Sequence, residues 1–162
     1  MDGVLEKAGD GFRLAFDRVI DRPVDKVWAA LVTPERIGDW LIADAEVDPR
    51  VGGRFELNFR NGPHHMKGVI TRFEPPHVLE FTWPEFEDRP AGLVLWELSA
   101  DPSGCRLKLT HSFPGKDDFA DYLSGWHWHL DAIPAAADGI ATPWDRSAWQ
   151  RLQARYRAAI AS

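Results

Sequence analysis

The chain has 162 residues, 44% of them hydrophobic and 27% charged, with 25 acids against 19 bases and a net charge of −6. A chain of this size buries roughly 70% of its unfolded surface as one domain, and its acidic balance argues against a nucleic-acid groove as its main business, since that needs a basic face. The lone Cys105 excludes an internal disulfide and a multi-cysteine metal cluster. With no long apolar run and no basic-then-apolar start, the chain is expected to be cytoplasmic, without a membrane span or signal peptide.

Apolar and polar residues alternate from Phe12 to Asp21, the mark of a half-exposed strand. Pro23 suits a helix start, and Val24, Val27, Trp28, Leu31 and Val32 fall on one helical face. Thr33 can cap a second short helix that begins with Pro34 and Glu35 and ends near Trp40. After Gly52-Gly53 come strand signals in succession. Phe55, Leu57 and Phe59 share one face, and the Asn61-Gly62 turn leads into Met66 to Phe73. Val78 to Trp83, Gly92 to Ser99 and Cys105 to Ser112 follow, which is the pattern of an antiparallel meander. Phe119, Tyr122, Leu123, Trp126, Leu130, Ile133 and Ala137 then line one side of a long helix. His129 stands at the edge of that side and Trp128 points away from it. Pro134 predicts a kink or a break that leaves a separate final turn. Residues 144–162 form a basic amphipathic extension, with Arg146, Arg151, Arg155 and Arg157 against Asp145 and a stripe of Trp149, Leu152, Tyr156 and Ile160.

Strands in a block without crossover helices make the fold α+β. The ordered segments Asp21-Arg22-Pro23-Val24-Asp25-Lys26-Val27-Trp28, Pro34-Glu35 to Trp40, Gly52-Gly53-Arg54-Phe55 and Phe73-Glu74-Pro75-Pro76 carry a resemblance. So do Leu79-Glu80-Phe81-Thr82-Trp83, Leu109-Thr110-His111-Ser112 and Gly125-Trp126 with Leu130. Over roughly residues 10–139 the chain resembles the START-like (SRPBCC) superfamily, in the branch similar to the C-terminal domain of the ATPase activator of the ninety-kilodalton heat-shock chaperone. The resemblance implies a helix-grip fold: a curved antiparallel sheet of about six to seven strands around a long C-terminal helix, with two short helices after strand one. It also implies an internal cavity for apolar ligands. Residues 1–143 read as this domain and 144–162 as the helical extension. The superfamily includes cyclases, but no catalytic motif carries over to this chain. Chaperone activation is not implied, because those activators use a separate N-terminal domain and at most eleven residues precede the predicted first strand.

The candidate ligand-binding residues are Trp40, Phe59, Trp83, Trp96, Trp126 and Ile133 on apolar faces, with His65, His111 and His129 as polar anchors. Each aromatic also has a plain alternative, since packing in a core justifies it alone. Together they fit a concave, aromatic, sparsely polar site on which Trp40, Trp83, Trp96 and Trp126 converge. A ligand burying ~300 Å² of apolar surface gains roughly 7 kcal/mol and loses at least ~4 to immobilisation, so tight binding needs polar anchors. A histidine in such a cavity donates to a carbonyl or moves protons, and each histidine also has a structural reading. A cyclase- or hydratase-like enzyme using His111 or His129 is therefore the alternative to a binding domain, and a chaperone-associated interaction module is a third.

No catalytic residue, cofactor or metal is assigned. His127 and His129 stand about 200° apart on a helix, and His64 and His65 point to opposite faces of a strand. Cys105 reads as a buried structural thiol, no serine lies in a nucleophile elbow, and Gly52-Gly53 opens a strand rather than cradling a phosphate. Arg18, Arg54, Arg60, Arg72 and Arg106 decorate the wet face of the sheet. Arg18, between Phe16 and Ile20, is the one placed to turn inward and hold a carboxylate. The expected partners are a small apolar molecule and, through the docking stripe of the extension, a second copy in a homodimer. That stripe also suits docking on its own domain, and membrane-surface binding is the disfavoured rival.

Overall fold

The computed structural model describes residues 1–85 and 89–162. Among these, eight strands form one antiparallel sheet: β1 (Val4–Ala8), β2 (Gly11–Ile20), β3 (Ala43–Val47), β4 (Arg54–Phe59), β5 (His65–Glu74), β6 (Val78–Trp83), β7 (Gly92–Asp101) and β8 (Gly104–Phe113). Their spatial order is β1-β2-β8-β7-β6-β5-β4-β3. Helices α1 (Val24–Val32) and α2 (Pro34–Leu41) stand between β2 and β3, while α3 (Phe119–Asp131), α4 (Ile133–Ala137) and α5 (Arg146–Ala161) follow the sheet. The fold is α+β and helix-grip-like, with the curved sheet facing α3.

Alternation decides the faces. Leu14, Phe16 and Ile20 of β2, Leu107 and Leu109 of β8, and Val94, Trp96 and Leu98 of β7 are all buried. They meet in register, Leu109 lying opposite both Phe16 and Trp96. On the other face the expected arginines find acids: Arg106 with Asp17, Arg54 with Asp48 and Glu46, and Arg72 with Glu74. A register shift between Ile70 and Arg72 divides β5, whose first half pairs with β4 and second half with β6. Such a bulge bends a strand and sharpens its twist, which helps the sheet curve. Ile42 closes α2 in the left-handed region at φ 56 and turns the chain straight into β3. That conformation is strained for a β-branched residue. Ile42 is held by burial and by the Arg60 N–H, which donates to its carbonyl at 2.8 Å.

At the start of α3 the Asp118 carboxylate accepts from the Asp121 N–H at 3.1 Å. The helix ends one turn early, at Ala132, and α4 restarts with Pro134 in its first turn, where a missing N–H costs nothing. This is the break expected at Pro134. The Asp145 side chain caps α5 by accepting from the Ala148 N–H at 3.0 Å.

Three expectations are corrected. The sheet has eight strands rather than about six or seven, and the Phe12 strand is its second. The missed strands, β1 and β3, each have five residues, carry Glu6, Lys7, Asp44 and Glu46, and give too short an apolar alternation to stand out. Trp128 does not point into solvent: it is 7% exposed, its ring 4.7 Å from that of Trp144. The segment after α4 returns over the outer side of α3, so that helix is covered on both sides. Arg18 leaves the wet face. It is 11% exposed in its side chain and donates to Asp131 of α3 at 2.5 Å, so the carboxylate it holds belongs to the protein.

Candidate functional site

A cleft of about 570 Å³ opens where α3 crosses the sheet. Phe59 at the end of β4, Met66 on β5 and Trp83 at the end of β6 form the sheet wall. Tyr122, Gly125, Trp126 and His129, one turn after another along α3, form the helix wall, and Trp144 and Trp149 close the outer end. The helical spacing of 3.6 residues per turn puts Tyr122, Gly125, Trp126 and His129 on one side. Trp83 lies where period-two alternation points it inward from the last position of its strand.

Behind the wall runs a chain of indoles in edge contact. Ring centroids are 5.7 Å apart for Trp83 and Trp126, 5.7 Å for Trp126 and Trp96, and 5.6 Å for Trp96 and Trp40. The four tryptophans singled out in the sequence thus do converge, but only Trp83 and Trp126 line the cleft. Trp40 and Trp96 are 2% exposed and support that wall from behind, Trp40 with its indole N–H donating to the Ala30 carbonyl at 2.7 Å. Ile133 is fully buried on α4 and does not reach the cleft. Phe59 and His129 line it, and His65 stands at its exposed rim.

His111 borders a second, smaller pocket of about 370 Å³ on the other side of Trp83. Its ring stacks on Phe113 at 4.1 Å, and its Nδ1 accepts from the Trp126 indole N–H at 3.0 Å. His129 bonds through Nδ1 to the Trp40 carbonyl at 2.8 Å; a carbonyl only accepts, so that nitrogen carries the proton. Burial pushes both histidines down, His111 to about 3 and His129 to about 4, so both are neutral near pH 7. Neither holds a proton ready to give to a substrate at that pH.

The polar edge of the cleft is acidic. The Tyr122 hydroxyl donates to the carboxyl of Glu85, and Glu85 and Asp117 border both pockets. Glu85 is exposed as a residue, yet desolvation of its carboxyl, then a hydrogen bond with Asp117, lifts it to about 7, against the opposing pull of Tyr122. Burial, with Glu85 alongside, pushes the Tyr122 hydroxyl up. Glu85 and Asp117 lie in loops without periodicity and carry no signal in the sequence, while Trp144 and Trp149 read there only as part of the extension. Tyr122 stood among the residues of the covered helix side, and that was its one signal. Among the described residues, no group of three or more His, Cys, Asp or Glu is arranged to hold a metal ion. Cys105 is buried and its thiol is pushed up by desolvation.

The family described as "Activator of Hsp90 ATPase homolog 1-like protein" matches residues 21–138. The chain belongs to this family. Its START-like fold is that of a ligand-binding type of domain. No curated protein matches the chain. CalU16 from Micromonospora echinospora is similar over 99% of this chain and 98% of its own, at 25% identity and a TM-score of 0.74. The protein encoded by BPP1335 from Bordetella parapertussis is 26% identical, with a TM-score of 0.70, over 93% of this chain and 86% of its own. EF2215 from Enterococcus faecalis, described as a conserved protein of unknown function, reaches a TM-score of 0.77 at 14% identity, over 98% of this chain and 90% of its own. At that identity the likeness concerns the fold alone. The similarity to CalU16 runs past residue 138 and takes in the stretch that supplies Trp144 and Trp149. No helix among the described residues is long and apolar enough to cross a membrane.

Proposed function

We propose that this domain binds a small, largely apolar molecule in the cleft between the sheet and α3. The observation that carries the reading is the composition of that cleft. About 570 Å³ is walled by Phe59, Trp83, Trp126, Trp144 and Trp149, with buried His129 among them and a polar, mostly acidic rim that includes Glu85, Asp117 and Asp121. The volume and the aromatic walls match those of the concave sites that take small ligands. Neutral, buried His111 and His129 support binding rather than proton transfer.

Gly125 gives a clean test. It lines the cleft from the middle of α3, and a Cβ built there meets nothing within 4 Å. Gly125→Leu therefore starts its side chain in open space and projects it into the cleft, and replacing a helical glycine gains about 1 kcal/mol of helix propensity. With the neutral fluorophore N-phenyl-1-naphthylamine as probe, the substitution is expected to weaken binding about tenfold or more while the melting temperature holds or rises. Unchanged affinity in Gly125→Leu would remove the cleft from consideration. Native mass spectrometry of freshly purified protein shows directly whether an apolar molecule travels with it, and whether it is a homodimer.

A further inference from the structure

Resting on the reading of an apolar ligand site, we propose that His111 is its specificity-determining anchor: Nε2–H donates to a neutral carbonyl oxygen of the ligand at the smaller pocket. Three observations converge on this atom. The first fixes the proton. The indole nitrogen of Trp126 is a donor only, so the His111 Nδ1 that takes its hydrogen bond is the bare nitrogen, and in the neutral ring Nε2 carries the hydrogen.

The second is that this donor has no partner. His111 is 1% exposed, and its Nε2 makes no hydrogen bond to any described residue. Buried donors are nearly always satisfied, because leaving one unpaired forfeits its hydration without return. The rest of the ring is fully engaged by Phe113, Trp83 and Tyr122. The unpaired N–H is thus the one polar direction left at this point in the core.

The third is where it points. Gly92 of β7 lines the same pocket, and a Cβ there would stand 3.4 Å from Nε2. The glycine thins the wall over this atom. Nε2 exposes less than 1 Å² as the side chains stand, so a ligand oxygen reaches it when a neighbouring side chain shifts, and the half-buried Trp83 indole, 5.3 Å from the His111 ring, is the neighbour common to both pockets. Trp83 borders both pockets, which lets a ligand keep its apolar body in the cleft and place one oxygen at His111.

The acceptor's charge follows from the lining. The charged side chains of the smaller pocket, Glu85, Arg89, Lys116 and Asp117, are mixed in sign and exposed or half-buried; its deeply buried members, His111 and Phe113, carry no charge. A carboxylate at that depth would meet one neutral donor, too little to offset its desolvation, whereas a ketone, quinone or amide oxygen is matched by it.

The test titrates ¹⁵N-histidine-labelled protein with 2-acetylnaphthalene and with its isostere 2-isopropenylnaphthalene, in which CH₂ replaces the ketone oxygen. The expected result is a His111 spectrum of the Nε2–H tautomer, a downfield shift of that proton with the ketone only, and about tenfold tighter binding of the ketone. His111→Phe is expected to erase this preference; should that variant fail to fold, the wild-type spectra decide alone. A proton found on Nδ1, or equal binding of the two probes, overturns the anchor and leaves the cleft reading standing. If neither probe binds, both readings fall.

Discussion

His127 and His129 stand two residues apart on α3 and face opposite worlds. His129 looks toward the indoles, bonded to the Trp40 carbonyl and held neutral by burial. His127 looks toward α5 and the N-terminus: its Nδ1 is 2.8 Å from the Tyr156 hydroxyl, and Asp131 and Asp2 lie within 4 Å. Burial lowers His127 as well, but Asp131 pulls the other way. Arg18 joins this side through Asp131, and Arg155 through Asp2. One side of the helix is an aromatic wall with isolated polar atoms, and the other is a web of charges at the surface. The contrast is the reason for proposing the ligand site on the first. An apolar molecule gains most where water is already excluded and polar groups are few.

Trp126→Ala should separate the two sides most sharply. It removes an indole that touches Trp83 and Trp96 and leaves the Nδ1 of His111 without its donor. Loss of a buried tryptophan typically costs about 3–5 kcal/mol. A fall of that size in urea-unfolding free energy is expected, together with loss of probe binding. Stability near that of wild type would mean that the indole is not part of the support.

Acid should break the aromatic side first. For His111 and His129 the folded pKa lies near 3 and 4, below the unfolded value of 6.5. The unfolded chain therefore binds more protons in between, so stability is full above pH 6.5 and is lost as pH falls toward the folded values. At pH 5 each buried histidine costs roughly 2 kcal/mol. Unfolding free energy measured from pH 7 to 5 is expected to decline steeply, and His129→Gln should flatten part of the slope. An equal slope in that variant would show that His129 is not a source of it.

Most of this contrast is readable from residues in order. The alternation of β2, β4 and β6 to β8 and the 3.6-residue period of α3 place Trp83 and Trp126 on facing walls, and the motifs from Asp21 to Leu130 indicate the fold. What sequence cannot supply is how far each residue lies along an element. Trp40 and Trp96 lie on the covered faces of α2 and β7 yet sit deeper than Trp126 and Trp83, with Trp96 packed between the rings of Trp40 and Trp126. Trp128 and Trp144 show the same limit. Periodicity within α3 makes Trp128 an outward residue, and only the return of a later segment covers it. Glu85 and Asp117 stand in loops, where position is set by the elements they join.

On the charged side the expected losses are smaller. The Tyr156 hydroxyl receives the Gly3 N–H at 2.9 Å and bonds to His127, tying α5 and the N-terminus to α3. Tyr156→Phe keeps the ring and removes both bonds, and about 1 kcal/mol per bond is the ordinary value. Thermal unfolding should drop by a few degrees while probe affinity in the cleft is kept. Lost affinity would mean that the two sides of α3 are mechanically joined.

Glu85→Gln should have the smallest effect on stability and the most informative one on pH. An acid whose folded pKa is raised, here from 4.5 to about 7, holds its proton in the fold over a range where the unfolded chain has released it. Stability from this group is therefore full below pH 4.5 and declines as pH rises toward 7, the opposite direction from the histidines. The carboxyl sits at an exposed edge, so the decline is shallow. Glutamine cannot ionise and still accepts from Tyr122. The variant should lose the decline between pH 4.5 and 7 while its Tyr122 contact survives. Because Glu85 borders both pockets, probe affinity in the wild type should change across the same window and stay flat in the variant. A wild-type affinity flat through pH 7 would show that ionisation of the edge does not reach the aromatic wall.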